Sequence, residues 1–421
     1  MDERQVIRTY LTITAIFTLS ASLIWGINTL FLLEAGLSIF EVFIANAAFT
    51  AAMALFEIPT GVVADTRGRR ISFLLSEATL AVGTLAYVAV AALDGGVVWF
   101  SLAGIILGLG YTFYSGAVEA WMVDALRATG YKGELDQAFA RGGMVASIAM
   151  LIGTVGGGLI GQIDLSLPYV VRAGLVMVAF VIGFRSMHDL GFTPRTMRFR
   201  GIVGEMRKVG RAGLRFGWSN PSVRLLMLTS FVSFGFFSWA WYAWQPYFLD
   251  LLGRNLVWVS GLIAALFSLA SMGGNAIVKR VARPGMRRTT ILLASSAIVT
   301  VCFLVTGGVR IFWVAVPVFI FASFVGGVSQ PVRQTYFHGL IPTDQRATLV
   351  SFDSLIGSVG SVGGQTGLGW LSQERSIPAG FVVGGLATLI NLPIFARLRS
   401  RDDAADAIRS EEELEPAPVL T

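Results

Sequence analysis

The sequence predicts an all-α membrane protein with twelve transmembrane helices in two six-helix bundles. Three observations predict it. The 421 residues are 54% hydrophobic and only 14% charged, with a mean hydropathy of +0.69, whereas a soluble domain carries about 25% charge. Apolar runs long enough to cross the hydrocarbon core, which takes about 20 residues of helix, recur along the whole chain. Lys and Arg gather on alternate connectors between those runs. The 48 glycines suit helices that pack closely in lipid.

The spans are predicted at 9–33, 39–64, 71–92, 97–125, 137–163, 167–187, 223–250, 256–278, 289–307, 311–333, 347–371 and 378–397. The first is too long for a signal-peptide core, and no small-residue cleavage site follows it. Connectors are short except for 188–222. The chain therefore divides into an N-terminal bundle (1–187), a cytoplasmic linker (188–222), a C-terminal bundle (223–398) and a cytoplasmic tail (399–421).

With both termini in the cytoplasm, all but four of the 32 Lys and Arg residues fall on cytoplasmic segments. Arg254, Arg310 and Arg375 lie outside, and Arg172 lies within the sixth span. This is the positive-inside bias, so the net charge of +6 reports topology and not nucleic-acid binding. The expected location is the inner (cytoplasmic) membrane of the cell, crossed many times. Trp99, Trp258, Trp313 and Trp370 fall at the predicted outer interface as an aromatic belt. The cluster Arg195, Arg198, Arg200, Arg207, Lys208, Arg211 and Arg215 is either a lipid-headgroup contact or a plain solvated linker.

Cofactor chemistry is not expected. The single cysteine, Cys302, excludes an intramolecular disulfide and a cysteine metal site. His188 and His338 match no metal-ligand spacing. No GxxxxGK[ST] loop and no catalytic constellation are present, so neither ATP drive within this chain nor an enzyme is expected.

Gly153, Gly157 and Gly161 recur at spacing four in the fifth span, and Gly363 and Gly367 in the eleventh. Each set precedes a proline, Pro168 or Pro378, at the same offset. The shared register points to an internal repeat. Parallel halves are the layout of a rocking transporter with its site at mid-membrane.

The most specific segment is GVVADTRGRR, Gly61 to Arg70, between the second and third spans. Gly68 allows a tight turn, and Arg67, Arg69 and Arg70 hold it at the cytoplasmic face. It resembles the signature loop of the major facilitator superfamily, and the span count and long central connector extend the resemblance over the whole chain. The group within it that the chain looks most like is the bacterial multidrug-efflux-like one. The resemblance implies a conformational latch made of Gly61, Asp65, Gly68, Arg69 and Asp124. Gly61 would let the second span pack on the eleventh. Asp65 would face the start of the eleventh, where Thr343 and Asp344 are cap candidates. Arg69 would pair with Asp124. Thr66 departs from the pattern, which has a basic residue there. KRVARPGMRR, Lys279 to Arg288, occupies the equivalent loop of the second half without an acid matching Asp65, and is read as a degenerate copy.

Ionisable residues within spans are costly and are functional candidates. Glu57 and Glu119 sit at similar depth in the inner half, with Arg141 on the same side, and are the candidates for proton coupling. A static Glu–Arg brace is the competing reading. Glu77 is at comparable depth on the third span, which is peripheral in this fold. Arg172 is expected to snorkel outward or to bind an anionic group. The fourth span lacks the embedded Arg of drug/proton antiporters, and TVGGGLIG in the fifth lacks their Pro.

The seventh span, FGFFSWAWYAWQPYF, is aromatic on two faces. Trp241, Trp244 and Gln245 are candidates to line a substrate cavity, with Gln330, Asp353 and Gln365 from later spans. Packing is the competing reading for the aromatics. Arg333 and Asp353 are a candidate gate pair.

The sequence thus points to a monomeric secondary transporter in contact with membrane lipids, moving a small amphipathic or drug-like molecule outward in exchange for protons. A proton-coupled symporter importing a metabolite is the alternative, and a non-transport membrane enzyme or receptor stands behind both. The topology has a direct check. The Ser219→Cys variant in a Cys302→Ser background is expected to react with an impermeant thiol reagent only after the cytoplasmic face is exposed. Labelling of intact cells would reverse the assignment.

Overall fold

A computed structural model describes residues 1–194 and 202–409. Helices account for the architecture, and the single β-bridge among the described residues joins Arg287 to Ala407. The chain forms two compact units, Met1–Arg207 with Trp241–Ala265, and Lys208–Ala240 with Leu266–Thr421.

The first unit holds α1 (Glu3–Ser22), α2 (Asn28–Glu34), α3 (Ile39–Arg67), α4 (Arg69–Ala92), α5 (Val97–Tyr114), α6 (Ala117–Ala128), α7 (Leu135–Gly161) and α8 (Leu167–Ser186). The linker contributes α9 (Ile202–Ala212) and a π-helical turn at Gly213–Trp218. Helices α10 (Pro221–Leu252) and α11 (Val257–Ala276) each divide between the units. The second unit continues with α12 (Val278–Val281), α13 (Arg288–Gly308), α14 (Phe312–Leu340), α15 (Arg346–Glu374), α16 (Ile377–Thr388) and α17 (Asn391–Arg399).

Local sequence explains the starts. Asp2 with Gln5 and Ser38 with Glu41 form capping boxes at α1 and α3, each satisfying two backbone N–H groups that have no partner in the helix. Three predicted spans are interrupted. The first breaks over Leu23–Ile27 between α1 and α2, and the twelfth at Leu389–Ile390. The fourth breaks at Ser115–Gly116, where Gly116 adopts φ 69°, a left-handed conformation suited to glycine.

Among the described residues, ten helices are long and apolar enough to cross a membrane. Two of the twelve predicted spans fall outside that set for physical reasons. The first is broken, and α15 is 29 residues long but diluted by Ser, Gly and Gln.

Each unit has its own core. In the first, Phe31, Tyr87, Phe100 and Tyr169 pack together, and Val6, Ile13, Phe73 and Trp121 form a second cluster near the arginine-rich ends. In the second, Leu226, Met227, Val332, Tyr336 and Leu398 pack together. Many large apolar side chains are exposed, including Val82, Leu85, Ile148, Ile152, Val301 and Val359. Exposed apolar side chains in such number suit lipid and not water. Trp99, Trp258, Trp313 and Trp370 are all exposed, as an aromatic belt requires.

The glycine repeat is present in a different register from the one expected. A Cβ at Gly153 or Gly157 would strike Ser22 or the Leu23 carbonyl, so these two bring α7 onto the end of α1. In α15 the corresponding residues are Gly360 and Gly364, which face the backbone of Phe231 and Gly235 on α10. Gly363 and Gly367 face open space. The expected frame is therefore displaced by three residues, almost one helical turn, within a segment where several glycine pairs share spacing four. Gly360→Ala and Gly364→Ala are each expected to lower stability by about 1–3 kcal/mol, the usual cost of overpacking. Gly363→Ala and Gly367→Ala should melt at or slightly above the wild-type temperature, since alanine favours helix. Thermal unfolding in detergent separates the two pairs.

Candidate functional site

The signature loop is shaped by its glycine. Gly68 has φ 112°, and a Cβ there would strike the Asp189 carboxylate. That carboxylate accepts the Arg70 backbone N–H at 2.9 Å, at the start of α4. Arg70 in turn donates Nη2 to the Phe184 carbonyl at 2.6 Å, and the His188 backbone carbonyl accepts the Trp121 indole N–H at 2.8 Å. The segment after α8 thus folds back over the start of α4.

Of the latch residues, the structure joins Asp65 and Arg69. Their ion pair spans 2.7 Å, with both side chains about three-quarters buried. Asp124 is half-buried on α6, and among the described residues no ion pair joins it to Arg69. The nearer carboxylate, four residues back across the turn, takes the guanidinium. Gly61 faces open space. Thr66 donates its hydroxyl to the Val62 carbonyl at 2.7 Å within its own helix. The capping position of α15 is Gln345, which makes no side-chain cap bond, and it closes a 3₁₀ turn, Thr343–Gln345; the Asp344 side chain lies outside what the structure describes.

The second-half loop finds its acids in the tail. Asp406 is buried and accepts the Thr289 backbone N–H at 2.7 Å and its hydroxyl at 2.8 Å, at the start of α13. Arg287 pairs with Asp402 at 2.5 Å, and Arg288 donates to the Ala405 and Ala407 carbonyls at 2.7 and 2.6 Å. Asp403 accepts from Ser222 at 2.7 Å and Tyr336 at 3.1 Å. In each unit, then, a segment following the last helix of a half delivers a carboxylate to a helix start whose own residues are arginines.

Glu57 and Glu119 lie on either side of the α5–α6 break. Glu57, on α3, accepts the Ser115 hydroxyl at 3.0 Å, and Glu119 lies in the first turn of α6. Both are exposed, as is Arg141 on α7. Among the described residues no ion pair ties Arg141 to either acid. A static Glu–Arg brace is therefore not what the structure contains.

One reading of a single residue is corrected. Arg172 does not snorkel outward. It is 1% exposed, donates Nη2 to the Tyr111 hydroxyl at 3.2 Å and lies over the Tyr111 ring at 5.5 Å. Glu77 is fully buried within the unit, on the packed side of its helix. Beside Arg172, Tyr169 donates to Asn28 at 2.9 Å and Asn28 to Asn46 at 3.1 Å.

The cavity candidates divide. Gln245 is buried and committed, accepting the Thr29 N–H at 2.8 Å and donating to the Trp25 carbonyl at 2.9 Å. Trp241 packs edge-on against Trp25, and Trp244 is buried. These three fasten the far part of α10 to the first unit. In the second unit Gln330 is exposed and Gln365 buried. Arg333 and Asp353 come together, with Nη2 at 2.9 and 3.1 Å from the two carboxylate oxygens. Ser230 donates to Asp353 at 2.7 Å and also accepts from Arg333. The basic linker cluster is described only in part, because Arg195, Arg198 and Arg200 lie outside the described residues.

This arrangement of helices and loops has relatives. A sequence model described as the Major Facilitator Superfamily matches residues 10–365. The chain belongs to the major facilitator superfamily. A protein of Bacillus subtilis (strain 168) named as the uncharacterized MFS-type transporter YxaM is 22% identical over 373 residues, covering 87% of this chain and 89% of its own. Among solved superfamily-like folds, the nucleoside transporter NupG aligns with TM-score 0.76 at 9% identity, over 94% of this chain and 99% of its own. A bacterial homologue of the human lysosomal transporter Spinster aligns with TM-score 0.72 at 13% identity, over 96% and 98%. Identities this low establish a shared fold only. The protein is a multi-pass membrane transporter of the superfamily type.

The Arg333–Asp353–Ser230 cluster yields a stability prediction. Both charged side chains are 13% exposed, so removing one partner leaves a desolvated charge. Asp353→Asn and Arg333→Gln are each expected to cost about 3 kcal/mol. The double variant Arg333→Met/Asp353→Leu should lose less than either single one, as read by unfolding in detergent.

Proposed function

We propose that this superfamily member exports a small amphipathic molecule across the inner membrane in exchange for protons, by alternating access. The supporting observation is the pair of exposed carboxylates, Glu57 and Glu119, flanking a helix break inside apolar spans. A carboxylate at such depth cannot face lipid without heavy cost, so it faces water that reaches into the bundle. Water there gives protons a route, while the surrounding aromatic and aliphatic residues suit an apolar solute body. The 1–187 and 223–398 halves act as the rocking bodies, the protein works as a monomer with both termini cytoplasmic, and its linker arginines rest against anionic lipid.

Asp65 and Arg69 act as the latch, with Gly61, Gly68 and Asp124 completing it as the halves move. The Asp65–Arg69 pair holds the loop in one state, and its rupture accompanies the other. Trp241 and Trp244 release from their packing, and Gln330, Asp353 and Gln365 become the polar contacts of the solute.

The test is flux in proteoliposomes with an imposed pH gradient, using a panel of amphipathic dyes as probes. Outward movement driven by inward proton flow is the expected result. Movement of probe with the protons would instead make the protein a symporter. Asp65→Asn and Arg69→Ala should each reduce flux about tenfold, equivalent to about 1.4 kcal/mol on the balance of states, with near-normal expression. Wild-type flux from both would reduce the loop to a topology signal.

A further inference from the structure

The first unit contains two charged side chains that are buried together and left incomplete. Glu77 is 0% exposed, and neither of its carboxylate oxygens has a hydrogen-bond partner among the described residues. Arg172 is 1% exposed, and its Nε and Nη1 lack partners, leaving the single bond from Nη2 to Tyr111. Buried polar groups are normally satisfied, and buried ions more strictly so. The two residues sit on helices that pack along one another. Phe73, one turn before Glu77, fills the space at Gly183 of α8, and Tyr87 stacks at 6.0 Å on Tyr169, one turn before Arg172. Ser76, next to Glu77, donates its hydroxyl to the carbonyl of Gly110, next to Tyr111, so the phenol that holds Arg172 belongs to the stretch of α5 that faces Glu77, and the guanidinium is turned to that phenol.

We propose that Glu77 and Arg172 form the proton-carrying pair of this transporter, with Arg172 exchanging between Tyr111 and the Glu77 carboxylate as a proton arrives or leaves. With a proton on Glu77, the carboxylic acid is neutral and the guanidinium rests on Tyr111, the arrangement seen. When the proton leaves, the bare carboxylate draws Arg172 from the phenol, and the two unsatisfied groups satisfy each other. An O–H bond forms at Glu77 as one breaks at the group that donates to it, and the net proton is taken from hydronium in the water that reaches the protein. This rests on the proton-coupled reading above.

The route from water is also marked. Tyr114 is half-buried at the end of α5, just before the α5–α6 break, with its ring 6.3 Å from that of Phe73, one turn before Glu77, and it packs on the cluster that holds Val118 of α6, next to the exposed Glu119. Glu119 therefore serves as the antenna and Tyr114 as the relay. In passing a proton inward, the phenol oxygen takes one and releases its own, ending as it began. The charged and titratable groups around Glu77 are Arg172 from α8, Tyr111 and Tyr114 from α5, and Glu119 from α6. Tyr10 of α1 packs in the cluster that holds Phe73 and touches Tyr114, and Glu57 of α3 is exposed and bonded to Ser115.

Infrared difference spectroscopy of the purified protein in nanodiscs, recorded through a pH titration, reads this without knowledge of the solute. The wild type should show a carboxylic-acid carbonyl band that titrates. Glu77→Gln should lose it, Glu77→Asp should keep a displaced band, and Arg172→Gln should shift its midpoint. Tyr114→Phe should slow the band's appearance after a pH jump while leaving the midpoint in place. Should Glu77→Gln fail to fold, the neutral pair Glu77→Gln/Arg172→Met replaces it, and persistence of the band in either overturns the inference. A band lost in Glu57→Gln or Glu119→Gln but kept in Glu77→Gln would overturn it while leaving proton coupling standing. Absence of any titrating carboxyl in the wild type would remove both.

Discussion

A helix that enters a membrane from its positively charged side begins with the wrong charge. Arginines stand at the start of α4 and α13, while the free N–H groups and dipole of a helix N-terminus favour anions. The structure resolves the conflict twice in the same way. Asp189 reaches the Arg70 N–H, and Asp406 reaches the Thr289 N–H and hydroxyl. Each acid arrives from the segment that follows the last helix of a half. Much else depends on these caps. Gly68 has to lack a side chain so that Asp189 can approach, and the tail lies close enough to Gly339 that a Cβ there would meet Ala405 at 2.8 Å. The loop Lys279–Arg288 carries no acid of its own. Its acids are supplied from more than 110 residues away.

The fold was legible because lipid imposes one rule on every span. Runs of apolar residues and the placement of arginines carry that rule openly, and all twelve predicted spans correspond to helical segments. The breaks were not legible, because they turn on single residues. Ser115 and Gly116 sit in a run of the same apolar character as its neighbours, and only the φ of Gly116 parts α5 from α6. The glycine register failed for a related reason. In GSVGSVGGQTGLG several pairs share spacing four, and the pair that matters is fixed by the facing backbone of α10, which the periodicity of α15 alone does not contain.

The candidate site was legible in depth and not in azimuth. Counting turns from the basic loops correctly placed Arg333 and Asp353 at one level, and they meet. The same counting placed Glu57, Glu77 and Glu119 at one level but gave no account of direction. Glu57 and Glu119 are exposed, while Glu77 is buried in the packed interior. Arg172 shows the converse limit. Its position in the outer half suggests a side chain escaping outward, and its aromatic partner Tyr111 lies on another helix, invisible to any reading of α8 by itself.

The two units also differ in how their charges are balanced. In the second, Arg333 meets a bidentate carboxylate and a serine, and the tail acids meet arginine, threonine and tyrosine. Such clusters resist change, since moving one member leaves another desolvated. In the first unit the in-membrane acids are either exposed or unsatisfied, and Arg172 holds one weak, phenolic partner. A group whose partners are incomplete in one conformation has something to gain in another, which is the condition for a bistable element. The Arg333–Asp353 and tail clusters of the second unit are therefore suited to bracing, and the Glu77–Arg172 region of the first to switching. Near-equal helical halves need not share the work equally, because the work follows where charge is left uncompensated.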